Sequence, residues 1–261
     1  MAGGAQHAFM EKEANEETLL SDFHVHTNRS DGKLPMADVV DLFGRSGHDV
    51  IAITDHITDT KGVLGRAARA LGRTVTPESA PEYFEEIAFE ADRAWTKYRM
   101  LVLPGAEITH NALTRDRSCH ILALGITEYL SADRSPLQIL REIRRRGAVS
   151  VACHPHEVRE LFANTFYLWN RRHRLARHID RWEVANRWDL FPAVSREKLP
   201  SIATGDFHSE EHLYTWKTLI RARRDAGSVL AALRSPAPLA ITQLQPPAEP
   251  LPAWGGVPAF A

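Results

Sequence analysis

Only two cysteines, Cys119 and Cys153, occur in the 261 residues. Two thiols give no disulfide framework, and as each directly precedes a histidine they read as small buried residues facing away from it. Long apolar runs are missing too. Residues 1–20 lack the hydrophobic stretch of a signal peptide, and nothing approaches the ~20 residues of a membrane-spanning helix. The sequence thus predicts a cytoplasmic protein with no membrane partner. An excess of either charge is also absent, since 32 basic and 33 acidic residues leave a formal net charge of -1. A surface so balanced is no platform for extended nucleic acid, which would need a local basic patch. No internal repeat is present.

What is there fits one sizeable core. Hydrophobic residues at 44% and charged residues at 25% are globular values, and the length suits a single α/β barrel. Residues 1–20 read as a polar leader with a short helical end, 21–235 as the barrel domain, and 236–261 as an extended tail holding seven of the fifteen prolines. Strands are expected near 21–26, 49–54, 100–103, 120–126, 148–153, 180–185, 201–205 and 216–222. Between them, helices are expected over 35–46, 81–98, 135–146, 189–198 and 227–233, the second burying Tyr83, Phe84, Ile87, Phe89, Ala91 and Trp95. A strand, a helix and a strand over 21–54 make a parallel unit. The link from Glu107 to His120 is too short for a crossover and predicts a hairpin instead. The long insertion 59–80 after His56 reads as a lid. Arg144, Arg145 and Arg146 read as a solvated helix end, and the arginines of 170–178 as a solvent-facing helix.

The chemistry gathers at strand ends. His24 and His26, two apart on a strand, project to one face as a chelating pair, and Asp31-Gly32 adds a carboxylate on a tight turn. Further apolar runs end in His56, Glu107, His154 and the pair Asp206/His208, while His120 begins the run that the hairpin lays beside Glu107. Six histidines and three carboxylates converging at one end of a barrel are too many for one ion. Mixed nitrogen and oxygen ligands without thiolate suit Zn, Mn or Fe and argue against a structural zinc knot. Two ions sharing a carboxylate serve phosphatases and nucleases. His7, His48, His173, His178 and His212 read as surface residues, with His110 and His156 flanking the site.

His24-Val25-His26-Thr27, Ser30-Asp31-Gly32, Thr54-Asp55-His56, Pro104-Gly105-Ala106-Glu107, His120 with its apolar run, Cys153-His154-Pro155 and Gly205-Asp206-Phe207-His208 resemble, in this order, the motifs of the polymerase and histidinol phosphatase (PHP) superfamily. The resemblance implies a distorted seven-stranded β/α barrel with two or three divalent transition metal ions at the C-terminal end of its strands. It implies that His24, His26, Glu107 and Asp206 hold the first ion, and that Glu107 bridges to a second completed by His120 and His154. Asp31, His56 and His208 would hold a third. Family members often carry an arginine soon after the His-Pro pair, which falls here on Arg159. His156 and Asn28 are further candidate substrate contacts, and Asp55 and Glu183 candidate supports behind the ligands.

The expected activity is hydrolysis of a phosphomonoester or phosphodiester of a small molecule or nucleotide, with Glu107 and Asp206 placing a metal-bridging hydroxide. The alternatives are an exonuclease-type phosphodiesterase on oligonucleotides and a metal-containing regulatory module without turnover.

Overall fold

Alternation along each strand sorts the apolar side chains into two layers. The computed structural model describes residues 15–114, 116–157 and 165–246. Its strands are β1 Glu17–Val25, β2 Val50–Ile53, β3 His56–Thr58, β4 Leu101–His110, β5 Cys119–Leu124, β6 Val149–Ala152, β7 Arg181–Asn186, β8 Asp189–Leu190, β9 Ser201–Thr204, β10 Trp216–Ala222 and β11 Ala240–Gln243. Its α-helices are α1 Met36–Arg45, α2 Val63–Ala70, α3 Ala80–Tyr98, α4 Pro136–Arg145, α5 Phe166–Asn170, α6 Arg172–Leu175, α7 Pro192–Arg196 and α8 Ala226–Arg234. Val50, Ala52, Leu122, Leu124, Val149 and Val151 fill one cluster with Leu19, Phe23 and Cys153. Their neighbours Ile51, Ile53, Ile121 and Ala152 face a second, larger cluster, where α1, α3 and α4 pack through Phe43, Tyr83, Ile87 and Ile139.

The order of pairing is β11-β10-β1-β2-β4-β5-β6-β7-β8, with β3 on β4 and β9 on β7. β1, β2 and β4 are parallel neighbours. As the short connection predicts, β4 and β5 form an antiparallel hairpin that sets Thr109 opposite His120. β6, β7 and β9 are again parallel. The sheet then curls back on itself, because Phe207, just past β9, makes a parallel bridge with Val25 of β1. That seam consists of His26 N–H to Phe207 O (2.9 Å) and Phe207 N–H to His24 O (3.0 Å). Among the described residues no helix is long and apolar enough to cross a membrane.

Several expectations change. Among the described residues the sheet has eleven strands where seven were expected. Residues 17–20 are no helical end of a leader, since they pair antiparallel with β10; residues 1–14 lie outside the described residues. At the other end, Ala240–Gln243 is a strand on β10, so the start of the tail is packed, while 247–261 lie outside the described residues. Asp189–Leu190 returns as a strand on β7 before the helix expected there begins. Phe89 is 68% exposed and Trp95 also faces solvent. The lid segment is fastened at its base: β3 pairs with β4, and Thr60 donates both its N–H and its hydroxyl to Asp133 (2.8 Å each).

Two histidines expected on the surface are buried. His48 packs edge-on against Phe43 with ring centroids 4.7 Å apart, and His212 accepts the His208 backbone N–H at Nδ1 (3.0 Å).

Candidate metal centre

Strand ends and the loops after them bring the expected ligands together, except that Glu107 lies inside β4, which runs on past the expected end to His110. A register irregularity in β1 between Asp22 and Val25 separates Phe23, which joins the inner cluster, from Val25, which joins the outer one. Such a bulge re-aims the residues around it, and the His24 and His26 rings end with centroids 5.0 Å apart. The loop that follows is wound tightly: a Cβ on Gly32 would meet the His26 carbonyl oxygen at 2.6 Å, so only glycine lets Asp31 fold back. Asp55 fixes that loop, its carboxylate accepting from Thr27 N–H (2.8 Å), Thr27 hydroxyl (2.8 Å) and Ser30 hydroxyl (2.6 Å). It makes no hydrogen bond to His56, whose Nδ1 lies 2.8 Å from Thr109 Oγ1. Asp55 therefore supports the site through the Asp31 loop.

At the far side of the seam, a Cβ on Gly205 would lie 2.2 Å from Asp22 Oδ2 and 2.6 Å from Lys217 Nζ. Glycine permits that close approach, and Asp206 follows it with φ 44°. His154 (φ 27°) is likewise left-handed. Such conformations are costly for non-glycine residues and cluster at functional sites.

Four donor atoms define the centre. His24 Nε2 lies 3.5 Å from Glu107 Oε2 and 3.5 Å from Asp206 Oδ1. His26 Nε2 lies 3.5 Å and 3.4 Å from the same two oxygens. Ligands held about 2.1 Å from a tetrahedral ion are about 3.4 Å apart, so this spacing is that of a coordination shell. His24 Nε2 and His26 Nε2 are buried without a hydrogen-bond partner among the described residues. Buried polar atoms almost always have one, and a cation between them and the two carboxylate oxygens would satisfy both. The donor set fits a transition metal.

Glu107 reaches onward with its other oxygen, 2.8 Å from His120 Nδ1 and 3.6 Å from His154 Nε2. Asp31 Oδ1 lies 3.1 Å from His208 Nε2, 3.5 Å from His56 Nε2 and 3.7 Å from His26 Nδ1. His56 also touches Glu107, Nδ1 to Oε2 at 2.8 Å. The Asp31 and Glu107 groups thus share both His26 and His56 as neighbours.

Behind the donors stand the supports. His24 Nδ1–H donates to Glu183 Oε1 (2.9 Å), which leaves the Nε2 lone pair facing the centre. Thr204 hydroxyl (2.6 Å) and Asn186 amide (2.9 Å) donate to the same carboxylate and fix it. Thr165 Oγ1 sits 3.1 Å from His154 Nδ1, and Asn111 Oδ1 3.0 Å from His120 Nε2.

The electrostatics follow from crowding. Burial opposes protonation of His24, yet Asp206, Glu107 and Glu183 together hold its pKa well above the ordinary histidine range. Burial pushes His26 down to about 3, with the His208 and His56 charges adding to it. Glu107 is held well below the carboxylate range despite its burial, by His120, His56 and His24. Asp206 behaves the same way under His24, Arg187 and His208.

The expected substrate contacts fare differently. His156 is turned into aromatic packing, 5.0 Å from the Phe166 ring and 5.2 Å from that of Trp169. Asn28 is exposed on the Asp31 loop, and Arg159 lies outside the described residues. His110 Nε2 meets the Ala132 carbonyl oxygen and so belongs to the scaffold. Among the described residues a basic group in contact with the donors is Arg187, whose Nη2 lies 3.0 Å from Asp206 Oδ2. Nothing local in the sequence marks it, because it reaches Asp206 only through the pairing of β7 with β9.

Residues 22–144 match the family model of the PHP domain. A two-domain protein from Bacteroides vulgatus ATCC 8482, containing a predicted PHP-like metal-dependent phosphoesterase, superposes with a TM-score of 0.64 at 20% identity, covering 88% of this chain and 66% of that one. The chain thus spans just under two thirds of that relative, and the likeness shows a shared fold. Weaker superpositions are found with a provisionally named metal-dependent phosphoesterase from Bifidobacterium adolescentis ATCC 15703 (TM-score 0.43, 17% identity, 73% of this chain and 88% of that one). An amidohydrolase from Chromobacterium violaceum with bound sulfate and no metal is similar to the same degree (0.41, 16%, 72% and 87%). No curated protein matches the chain.

Proposed function

We propose, on the premise that this chain carries a PHP domain and is a member of the PHP superfamily, that it is a metal-dependent hydrolase of a small phosphomonoester or phosphodiester. The observation that carries the reading is the pair of buried, unpartnered nitrogens His24 Nε2 and His26 Nε2, each 3.4 to 3.5 Å from Glu107 Oε2 and Asp206 Oδ1. Strands β1, β2, β4, β5, β6, β7 and β9 form the barrel proper in this reading, with β3, β8, β10 and β11 as additions around it.

His24, His26, Glu107 and Asp206 hold the first ion; Glu107, His120 and His154 hold the second; Asp31, His56 and His208 hold a third. Divalent Mn, Zn or Fe bound there would acidify a water and polarise the phosphoryl oxygens. The residues do the rest. Glu107 spans the two inner groups and fixes their separation, and Asp206 closes the first group from across the seam. Glu183 and Thr165 hold the His24 and His154 rings by Nδ1, so that each presents Nε2. The substrate is a phosphorylated small molecule or nucleotide, since a formal net charge of -1 gives no excess of positive charge for an extended polyanion.

The test is reconstitution with Mn, Zn and Fe in parallel, followed by elemental analysis and a screen of phosphorylated metabolites and nucleotides. Two or three ions per chain with phosphate release is the expected result. Protein that binds no metal, or binds it and releases no phosphate from any phosphoester, overturns the reading.

A further inference from the structure

The turn from β7 into β8 is two residues long, Arg187 and Trp188, and it stands beside the metal centre because β7 and β9 run parallel and end together. Arg187 takes a left-handed conformation, φ 51°, which is uncommon for a residue with a side chain. Its N–H donates to Thr204 O (3.1 Å), and its carbonyl accepts from Trp216 N–H (3.1 Å). Held at both ends, the turn directs the guanidinium back over Asp206: Nε donates to the Asp206 carbonyl oxygen (3.1 Å), and Nη2 reaches the carboxylate. Nη1 has no hydrogen-bond partner among the described residues, and the side chain keeps 20% of its surface open. Trp188 is 52% exposed and meets the His212 ring edge-on at 5.2 Å. His212 in turn lies 6.1 Å from His208. An exposed indole thus stands two ring contacts, of 5.2 Å and 6.1 Å, from the His208 donor.

His208 Nδ1 is claimed twice. The Asp206 carbonyl oxygen at 2.9 Å needs a proton on that nitrogen, whereas Arg187 Nη2 at 3.0 Å needs its lone pair. One neutral tautomer cannot serve both. When Nε2 serves as a ligand the proton resides on Nδ1, as in metal-binding histidines generally, and goes to the carbonyl. Whichever tautomer His208 takes, Arg187 Nη1 keeps its N–H groups without a partner among the described residues. A guanidinium with free donors beside the centre is suited to phosphoryl oxygens.

We propose that the Arg187–Trp188 turn is the substrate-recognition element of this site, Arg187 contacting the phosphoryl group and Trp188 stacking on a planar heterocycle carried one sugar away. The substrate class is therefore the nucleotides. The inference rests on the phosphoesterase reading above and narrows it.

The test uses metal-reconstituted full chain and a non-hydrolysable pair, the methylenephosphonate analogues of adenosine 5′-phosphate and of ribose 5-phosphate. Equilibrium binding is followed by tryptophan fluorescence and calorimetry, with steady-state constants for the parent phosphates beside them. A stacked base contributes roughly tenfold or more in affinity, so the adenosine compound should bind tighter by at least that factor. Trp188→Ala should collapse the ratio towards one, and Trp188→Phe should keep part of it. Arg187→Lys should weaken both compounds alike, because ammonium cannot replace the fork, and should leave the metal count unchanged. An unaltered ratio in Trp188→Ala, or unaltered affinity in Arg187→Lys, overturns the proposal. Phosphoesters hydrolysed without preference for a base overturn it while sparing the phosphoesterase reading; metal-loaded protein that binds and hydrolyses none of these compounds or any other phosphoester overturns both.

Discussion

Glu107 has a heavier electrostatic load than any other side chain in the centre. One oxygen faces His24, His26 and His56 and the other His120 and His154. Glu107→Gln removes the charge that those rings balance while keeping the shape. Supports behind a metal ligand already cost about 10- to 100-fold in affinity or activity when changed, so this direct ligand should exceed that. Elemental analysis should find both inner ions depleted, and near-normal occupancy would contradict a shared carboxylate. His48 gives a separate, pH-dependent signal. It is buried with Nε2 unpartnered, and burial first, then the Lys217 charge, holds its pKa well below the ordinary value. Below about pH 6.5 the unfolded chain takes up a proton there that the folded chain refuses. The stability is complete above that pH and drains away as pH falls, by at most about 1.4 kcal/mol per pH unit. In denaturant titrations the gap between wild type and His48→Gln should narrow from pH 7 to pH 5; a constant gap would remove His48 from the account. The sequence misplaced His48 and His212 because a histidine after a helix looks the same whether or not a phenylalanine or a neighbouring backbone N–H covers it. Arg187 was invisible for the converse reason, its partner standing nineteen positions away in the chain.

Elements were legible where one local rule decided them. Strands ending in ligands followed from apolar runs closed by His, Asp or Glu, and the β4–β5 hairpin followed from a connection too short to cross over. Edge strands were not legible, since Glu17–Leu20 and Ala240–Gln243 become strands only because β10 offers hydrogen-bonding edges to them. On α3 the aromatic count misled: Phe89 lies two residues from Ile87, about 200° around the helix, and so faces solvent. The end of α8 shows a device no pattern announces. Arg181, fully buried at the start of β7, donates to the carbonyl oxygens of Ala232 (3.1 Å), Leu233 (2.8 Å) and Ala237 (2.9 Å), and to that of Ser235. These include carbonyls that the helix cannot satisfy internally. Arg181→Leu leaves the buried Leu233 carbonyl and the partly exposed ones of Ala232, Ser235 and Ala237 unpaired, at about 1–3 kcal/mol for a buried acceptor, so a loss of ~2 kcal/mol or more is expected in chemical denaturation, with metal stoichiometry kept. A loss under ~1 kcal/mol would mean that water replaces the guanidinium.

At the scale of the molecule, two apolar clusters on either face of the sheet carry the fold, and the centre sits at one end of them. Chelated protein should therefore keep its secondary structure by circular dichroism and still unfold cooperatively. Adding metal should raise the Tm in step with concentration, by an amount equivalent to about 2.7 kcal/mol at a hundredfold excess over Kd. Unfolding on chelation alone would make the metal a structural element. The seam adds a consequence in time. Its two halves, His24/His26 and Asp206/His208, stand near opposite ends of the chain and meet through a backbone contact at Phe207. A ribosome delivers the first half early and the second only after β9, so no nascent chain shorter than that owns the complete donor set of the first or third group. Full loading of the centre then cannot precede the final joining of the sheet, and a translation product arrested before Gly205 should bind fewer ions than the full chain.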